Sequence, residues 1–230
     1  MPESHANARN GAPVLVFDEG GARGGVVLVS ELWGLDEALR GWAARLANEG
    51  YTVVAPDLWW RHPGVPPLGT HDEVRAGLLL LDDGLALQDI AAAAALLPAG
   101  RPRVVIGFCV GGLYARMASA AVPGLAAAVE FYGRLVYPTL GPSKPTQPLD
   151  LLPGRACPLL CHYGADDPIC PPHHVDELER RLSAQAAAGR VYRYPGATHG
   201  FMNHRRPGGS AATAELAWSR TLRFLDEVLE

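Results

Sequence analysis

The sequence has no basic run and no stretch in which basic and aromatic residues interleave, so it offers nucleic acid no surface to bind. Charge of either sign is sparse: charged residues make up 19% of the chain, and the net charge of -4 is spread along it rather than gathered in a tail. No apolar run is long enough to span a bilayer. The polar start, MPESHANARNGAP, lacks the apolar core of a signal peptide, so a soluble cytoplasmic protein with no membrane partner is expected. Cysteine is limited to four residues at irregular spacing, which fits reduced thiols better than a disulfide framework. No internal repeat is visible and no shift of composition marks a domain boundary. What the chain does have is apolar residue, 48% of its 230 positions, enough for one large α/β core. A single domain over residues 1–230 is expected, with 1–11 as a flexible N-terminal segment.

Apolar runs that read as strands alternate with segments of helical spacing. The strands are Val14 to Phe17, expected at a sheet edge, then Gly25 to Ser30, Tyr51 to Ala55, Val104 to Ile106, Leu125 to Tyr132, Pro158 to Tyr163 and Arg190 to Tyr194. Helices are expected over Asp36 to Asn48, from His71 to Leu97 with a break near Asp82-Asp83-Gly84, from just after Gly112 to Ala121, and over His174 to Ala187 and Ala211 to Leu229. A Pro/Gly-rich loop, Trp59 to Gly69, has the length of a binding rim, and Leu135 to Arg155 reads as a proline-rich connection. This alternation predicts a doubly wound, mostly parallel sheet with helices on both faces.

One corner of that sheet carries chemistry. Cys109 lies between the strand Val104 to Ile106 and the next helix, flanked by Gly107 and Gly111 as G-x-C-x-G, with Gly112 adding another small residue. A tight strand-to-helix turn strains its central residue and brings backbone close on either side, so its neighbours must lack bulk. The sulfur is left above the sheet near the positive end of the helix, a placement that suits a nucleophile. The plainer reading is a small buried cysteine at a glycine-rich helix start. Ligands in such sheets bind beyond the carboxyl ends of the strands, and three more polar residues fall there: Glu31, Asp167 and His199. The order nucleophile, acid, histidine is that of a doubly wound hydrolase. His199 then serves as base and Asp167 as its orienter. Asp166 competes with Asp167 in a run, Gly164-Ala165-Asp166-Asp167-Pro168, that a local turn or helix cap would also explain. Taken singly, His199 could be a solvated loop histidine and Glu31 a rim charge.

The segments SELWGL (30–35), YTVVAPDLW (51–59), GFCVGG (107–112), YGADDPI (163–169) and ATHGF (197–201) together resemble the dienelactone hydrolases, and the similarity extends over most of the chain. The resemblance implies an α/β-hydrolase fold and hydrolysis of a small ester or lactone, of the carboxymethylenebutenolide type, through a thioester on Cys109. It implies the triad Cys109, His199 and Asp167, with no metal and no organic cofactor. It also implies that Glu31 contacts the thiol and takes its proton when substrate binds, leaving the resting enzyme a poorly reactive thiol. The oxyanion hole would be the backbone N–H groups of Leu32 and Val110. In that family two arginines clamp the substrate carboxylate, one of them four residues beyond the catalytic histidine. Asn203 stands at that place here, with Arg205 and Arg206 close by and Arg75 the nearest candidate for the other arginine. Trp59 stands where the family commonly has tyrosine, and Tyr132 lies on a matching strand end.

Two rival classes bear weighing. Cys157, Cys161, His162, Cys170, His173 and His174 are zinc-ligand types, but the two cysteines straddle an apolar strand and the last two histidines start a helix. A non-catalytic hydrolase-fold protein that binds a small ligand or partner is the other, and the complete set of four polar residues argues against it. The expected molecule is a monomer or small homo-oligomer acting on a small ester or lactone.

Overall fold

Gly24–Val29, Tyr51–Pro56 and Arg103–Phe108 are almost continuously buried, as strands covered on both faces must be. The computed structural model describes residues 3–64, 71–185, 187–203 and 210–229, with backbone alone at 71, 72, 74 and 75. In chain order the elements are β1 (Glu3–Asn7), β2 (Pro13–Phe17), β3 (Gly24–Val29), α1 (Glu37–Asn48), β4 (Tyr51–Pro56), α2 (His71–Leu80), α3 (Asp83–Ala94) and β5 (Arg103–Phe108). They continue with α4 (Val110–Ala121), β6 (Ala127–Phe131), a short 3-10 helix (Pro148–Gly154), β7 (Leu159–Gly164), α5 (Pro172–Ser183), β8 (Gly189–Tyr194) and α6 (Ala211–Leu229). The eight strands form one sheet in the order β1-β2-β4-β3-β5-β6-β7-β8. β1 and β2 run antiparallel to their neighbours, and the other pairs are parallel.

Alternate strand residues feed two cores. Val26, Leu28, Val104 and Ile106 pack with Leu39, Leu46, Trp218 and Leu225 of α1 and α6. Val27, Val29 and Val105 face the other way, onto Ile90, Leu113, Met117 and Leu178 of α3, α4 and α5. The break expected near Asp82 is present, and the Asp82 carboxylate caps α3 by accepting the Leu85 N–H at 2.9 Å. The long connection after β6 is pinned by Lys144, the only lysine of the chain, whose buried ammonium donates to Asp83 (2.7 Å) and to the Tyr114 hydroxyl (2.9 Å).

Four expectations need correcting. Residues 3–7, expected to be flexible, form β1 by pairing with β2 from Glu3 opposite Phe17 to Asn7 opposite Pro13. All five of its residues are exposed, so no hydrophobic alternation announces it. It takes the sheet edge that Val14 to Phe17 was expected to hold. Helix α4 starts at Val110 and includes both Gly111 and Gly112, because their missing side chains let the first turn sit against neighbouring backbone. The helices α3 and α5 stop at Ala94 and Ser183, short of the Leu97 and Ala187 expected.

Candidate active site

Cys109 joins β5 directly to α4 with φ 53° and ψ -114°, a conformation that strains any residue with a side chain. The surroundings hold it there. A Cβ on Gly107 would stand 2.0 Å from the Gly111 carbonyl oxygen, one on Gly111 2.3 Å from that of Val29, and one on Gly112 2.6 Å from that of Phe131. These approaches press the elbow against the ends of β3 and β6. The Cys109 N–H donates to the Phe131 carbonyl (2.9 Å), and its own carbonyl accepts the Leu113 N–H (3.0 Å). The N–H groups of the first turn of α4, Val110 among them, have no carbonyl four residues back to bond.

Above the elbow, His199 Nε2 lies 3.1 Å from Cys109 Sγ and His199 Nδ1 lies 2.8 Å from Asp167 Oδ2. The second oxygen of Asp167 accepts the backbone N–H groups of Ile169 (2.7 Å) and Cys170 (3.2 Å), which fixes the carboxylate in a buried position. Its neighbour Asp166 is exposed. Burial draws the His199 ring toward its neutral form, but the sulfur of Cys109 and the hydrogen bonds to Asp167 and Cys109 outweigh it and hold the imidazole well above its ordinary pKa. Cys109, His199 and Asp167 therefore form one connected chain: a sulfur, an imidazole whose raised proton affinity favours holding the proton beside that sulfur, and a fixed carboxylate.

Glu31 follows β3 and accepts the Tyr132 hydroxyl at 2.9 Å. Tyr132 is the other non-glycine residue with positive φ (43°) among those described, and its ring meets His199 edge-on at 5.1 Å. A cleft opens beside this group, lined among others by Glu31, Asp36, Trp42, Phe108, Tyr132 and Asn203. Leu32 is buried immediately after Glu31, next to the β3 end that touches Gly111.

The described structure positions only some of the other residues singled out in the sequence. Trp59 is only 3% exposed and packs within the core on the α3 and α4 side of the sheet. The first residues of the rim loop are held by Asp89, which pairs with Arg61 and accepts the Trp60 indole N–H at 3.2 Å. Arg75 lies on α2 with its side chain outside the described structure, and Arg205 and Arg206 lie outside the described residues, as do positions 65–69 of the rim loop. Asn203 is buried at the cleft wall. Asp36 and Trp42 are cleft residues that sequence reasoning missed, since a helix cap and an amphipathic helix position account for them locally.

The zinc set considered from the sequence is not brought together. His162 is enclosed between the Tyr194 hydroxyl (2.7 Å) and Thr221 Oγ1 (3.1 Å). Burial pushes the Cys157 thiol up to about 11. The one group of potential ligands among the described residues is Asp167, Cys170 and His199, within 4.8 Å of one another, and it contains two members of the chain just described. Cys170 is buried there, and its thiol donates to the Gly133 carbonyl at 3.4 Å.

The chain is similar to known proteins over nearly its whole length. The family model described as the dienelactone hydrolase family matches residues 13–229. A carboxymethylenebutenolidase of Rhodococcus opacus is 32% identical over 212 residues, covering 89% of this chain and 81% of its own. A Salmonella typhimurium protein provisionally named carboxymethylenebutenolidase is 33% identical over 204 residues, 86% of this chain and 75% of its own. Among solved structures, one from Klebsiella pneumoniae, provisionally identified as a dienelactone hydrolase, superposes with a TM-score of 0.86 at 27% identity, covering 98% of this chain and 97% of that one. With the α/β-hydrolase sheet and the cysteine elbow in place, the match over nearly the whole chain makes this protein a member of the dienelactone hydrolase family.

Proposed function

We propose that the protein hydrolyses small esters or lactones through a thioester on Cys109, with His199 as proton carrier and Asp167 as its orienter. The observation that carries this reading is the unbroken chain from Sγ through the imidazole to a buried carboxylate, at 3.1 and 2.8 Å, on a strained elbow. The thiol proton passes to His199 Nε2 and the sulfur attacks the ester carbonyl carbon. The N–H groups of Val110 and Leu32 receive the oxygen of the tetrahedral adduct as negative charge develops on it. When the adduct collapses, the C–O bond breaks and the leaving oxygen takes the proton from His199; in a lactone that oxygen remains on the acyl group. Water then attacks the thioester with His199 as its base, which frees the carboxylic acid and restores the thiol. Glu31 is a second acceptor for the thiol proton, positioned by the Tyr132 hydroxyl.

Cys109→Ala tests the reading. On a panel of small lactones and activated esters it should cut kcat by on the order of 10⁴ or more while the circular dichroism spectrum stays unchanged. Wild-type kcat in that variant would contradict the reading.

A further inference from the structure

We infer that Arg116, Glu130 and Tyr163, a buried trio beside the elbow, are positioning residues for the reaction, and that the Tyr163 hydroxyl acts on turnover through the hydrogen bond from Tyr132 to Glu31. The inference rests on the hydrolase reading above and deepens the account of that site. Glu130 of β6 stands opposite Gly107 in the sheet register, and none of the three residues is more than 1% exposed. Glu130 pairs with Arg116 of α4. An ion pair at that depth gives up its hydration, and apolar side chains of like volume would stabilise a core as well or better, so stability alone does not account for it.

The further contacts of the trio converge on one stretch of backbone. Arg116 donates from Nη2 to the Arg134 carbonyl at 2.5 Å. The Tyr163 hydroxyl accepts from Arg116 Nη1 at 3.2 Å and shares its own proton between Glu130 Oε1 at 2.8 Å and the Gly133 carbonyl at 3.0 Å. Gly133 is also pressed against α4, where an added Cβ would stand 2.4 Å from the Leu113 nitrogen and 2.7 Å from Glu130 Oε2. Gly133 and Arg134 directly follow Tyr132. Tyr132 holds φ 43°, a strained conformation for a residue with a side chain, which persists where the surroundings over-determine it. On one side its N–H donates to the His162 carbonyl at 2.8 Å, and on the other the trio fixes the carbonyls of Gly133 and Arg134. So held, Tyr132 delivers its hydroxyl to Glu31 at 2.9 Å. Freed at the Gly133 carbonyl, the backbone would relax and carry that hydroxyl away from Glu31.

A double-mutant cycle provides the test, with kcat and KM measured on an activated small ester for Tyr163→Phe, Tyr132→Phe and the two combined. Tyr163→Phe keeps the ring in the core and should lower kcat by about tenfold with KM changed less than about twofold, since a small misplacement near the reacting atoms acts on the transition state. Tyr132→Phe should lower kcat by at least about tenfold, and in that background Tyr163→Phe should cost less than about a further twofold. A merely structural role gives the same factor in both backgrounds. That result, or wild-type kcat in either single variant, overturns the inference and leaves the hydrolase reading standing. Should Tyr163→Phe fail to fold, Arg116→Lys keeps the charge beside Glu130, gives up the planar fork that reaches the Arg134 carbonyl, and is judged by the same cycle. If turnover by the wild type does not depend on Cys109, the hydrolase reading fails and this inference with it.

Discussion

Asp166 and Asp167 are adjacent in sequence and opposite in environment. Asp166 is exposed, whereas Asp167 is buried, held by two backbone N–H groups and bonded to His199 Nδ1. The difference predicts unequal effects. Asp167→Asn should lower kcat by about 10³-fold, because an amide no longer fixes the useful tautomer of the ring. Asp166→Asn should change it by less than about twofold, and the reverse order in steady-state kinetics would mean the other carboxylate orients the ring. Glu31→Gln removes the carboxylate that the Tyr132 hydroxyl holds in place. It should lose turnover while the alkylation of Cys109 by iodoacetamide still proceeds. Unchanged kcat would make Glu31 a rim charge.

The corner element was legible in the sequence because its demands are local: G-x-C-x-G names both the strained residue and the positions where backbone comes within 2.0 to 2.3 Å of an added Cβ. Elements that rest on pairing or packing rather than on their own side-chain pattern were not. β1 is wholly exposed and exists through its register with β2, and Trp59 reads as a rim residue until the core behind it is seen. Asp36 reads as an ordinary helix cap, and only the assembled cleft shows it beside Glu31. Two glycines test how strictly the elements constrain the chain. Gly107→Ala should destabilise by roughly 3 kcal/mol or more, since the contact is with backbone that cannot move aside. Gly41, exposed in mid-α1 with nothing near its Cβ position, should become more stable by about 0.5 to 1 kcal/mol as alanine. Urea midpoints of the two variants check both signs.

For the whole molecule, acid is the expected weakness, and His162 is one source of it. Its ring is fully buried among Phe131, Tyr192 and Tyr194, and burial, with the Arg220 charge adding to it, pulls its pKa down to about 3. In the unfolded chain the same group titrates near ~6.5. Between those values the unfolded state binds a proton that the native state refuses, so the stabilising difference is complete above the unfolded value and is lost as pH falls toward the folded one. Each pH unit below about 6.5 should cost about 1.4 kcal/mol from this residue. Chemical denaturation at pH 7, 5.5 and 4.5 should show a shallower decline for His162→Gln than for the wild type, and parallel declines would remove His162 as a cause.

In the proposed reaction the sulfur on the elbow attacks a carbonyl carbon, and a covalent acyl group on that sulfur is the central consequence. Intact-mass spectrometry of enzyme quenched within milliseconds of mixing with an activated small ester measures it directly. The wild type should gain the mass of one acyl group, mapped by peptide analysis to Cys109, and Cys109→Ala should gain none and turn over nothing. Turnover with no adduct in the wild type, an adduct on another residue, or continued turnover by Cys109→Ala would contradict the account.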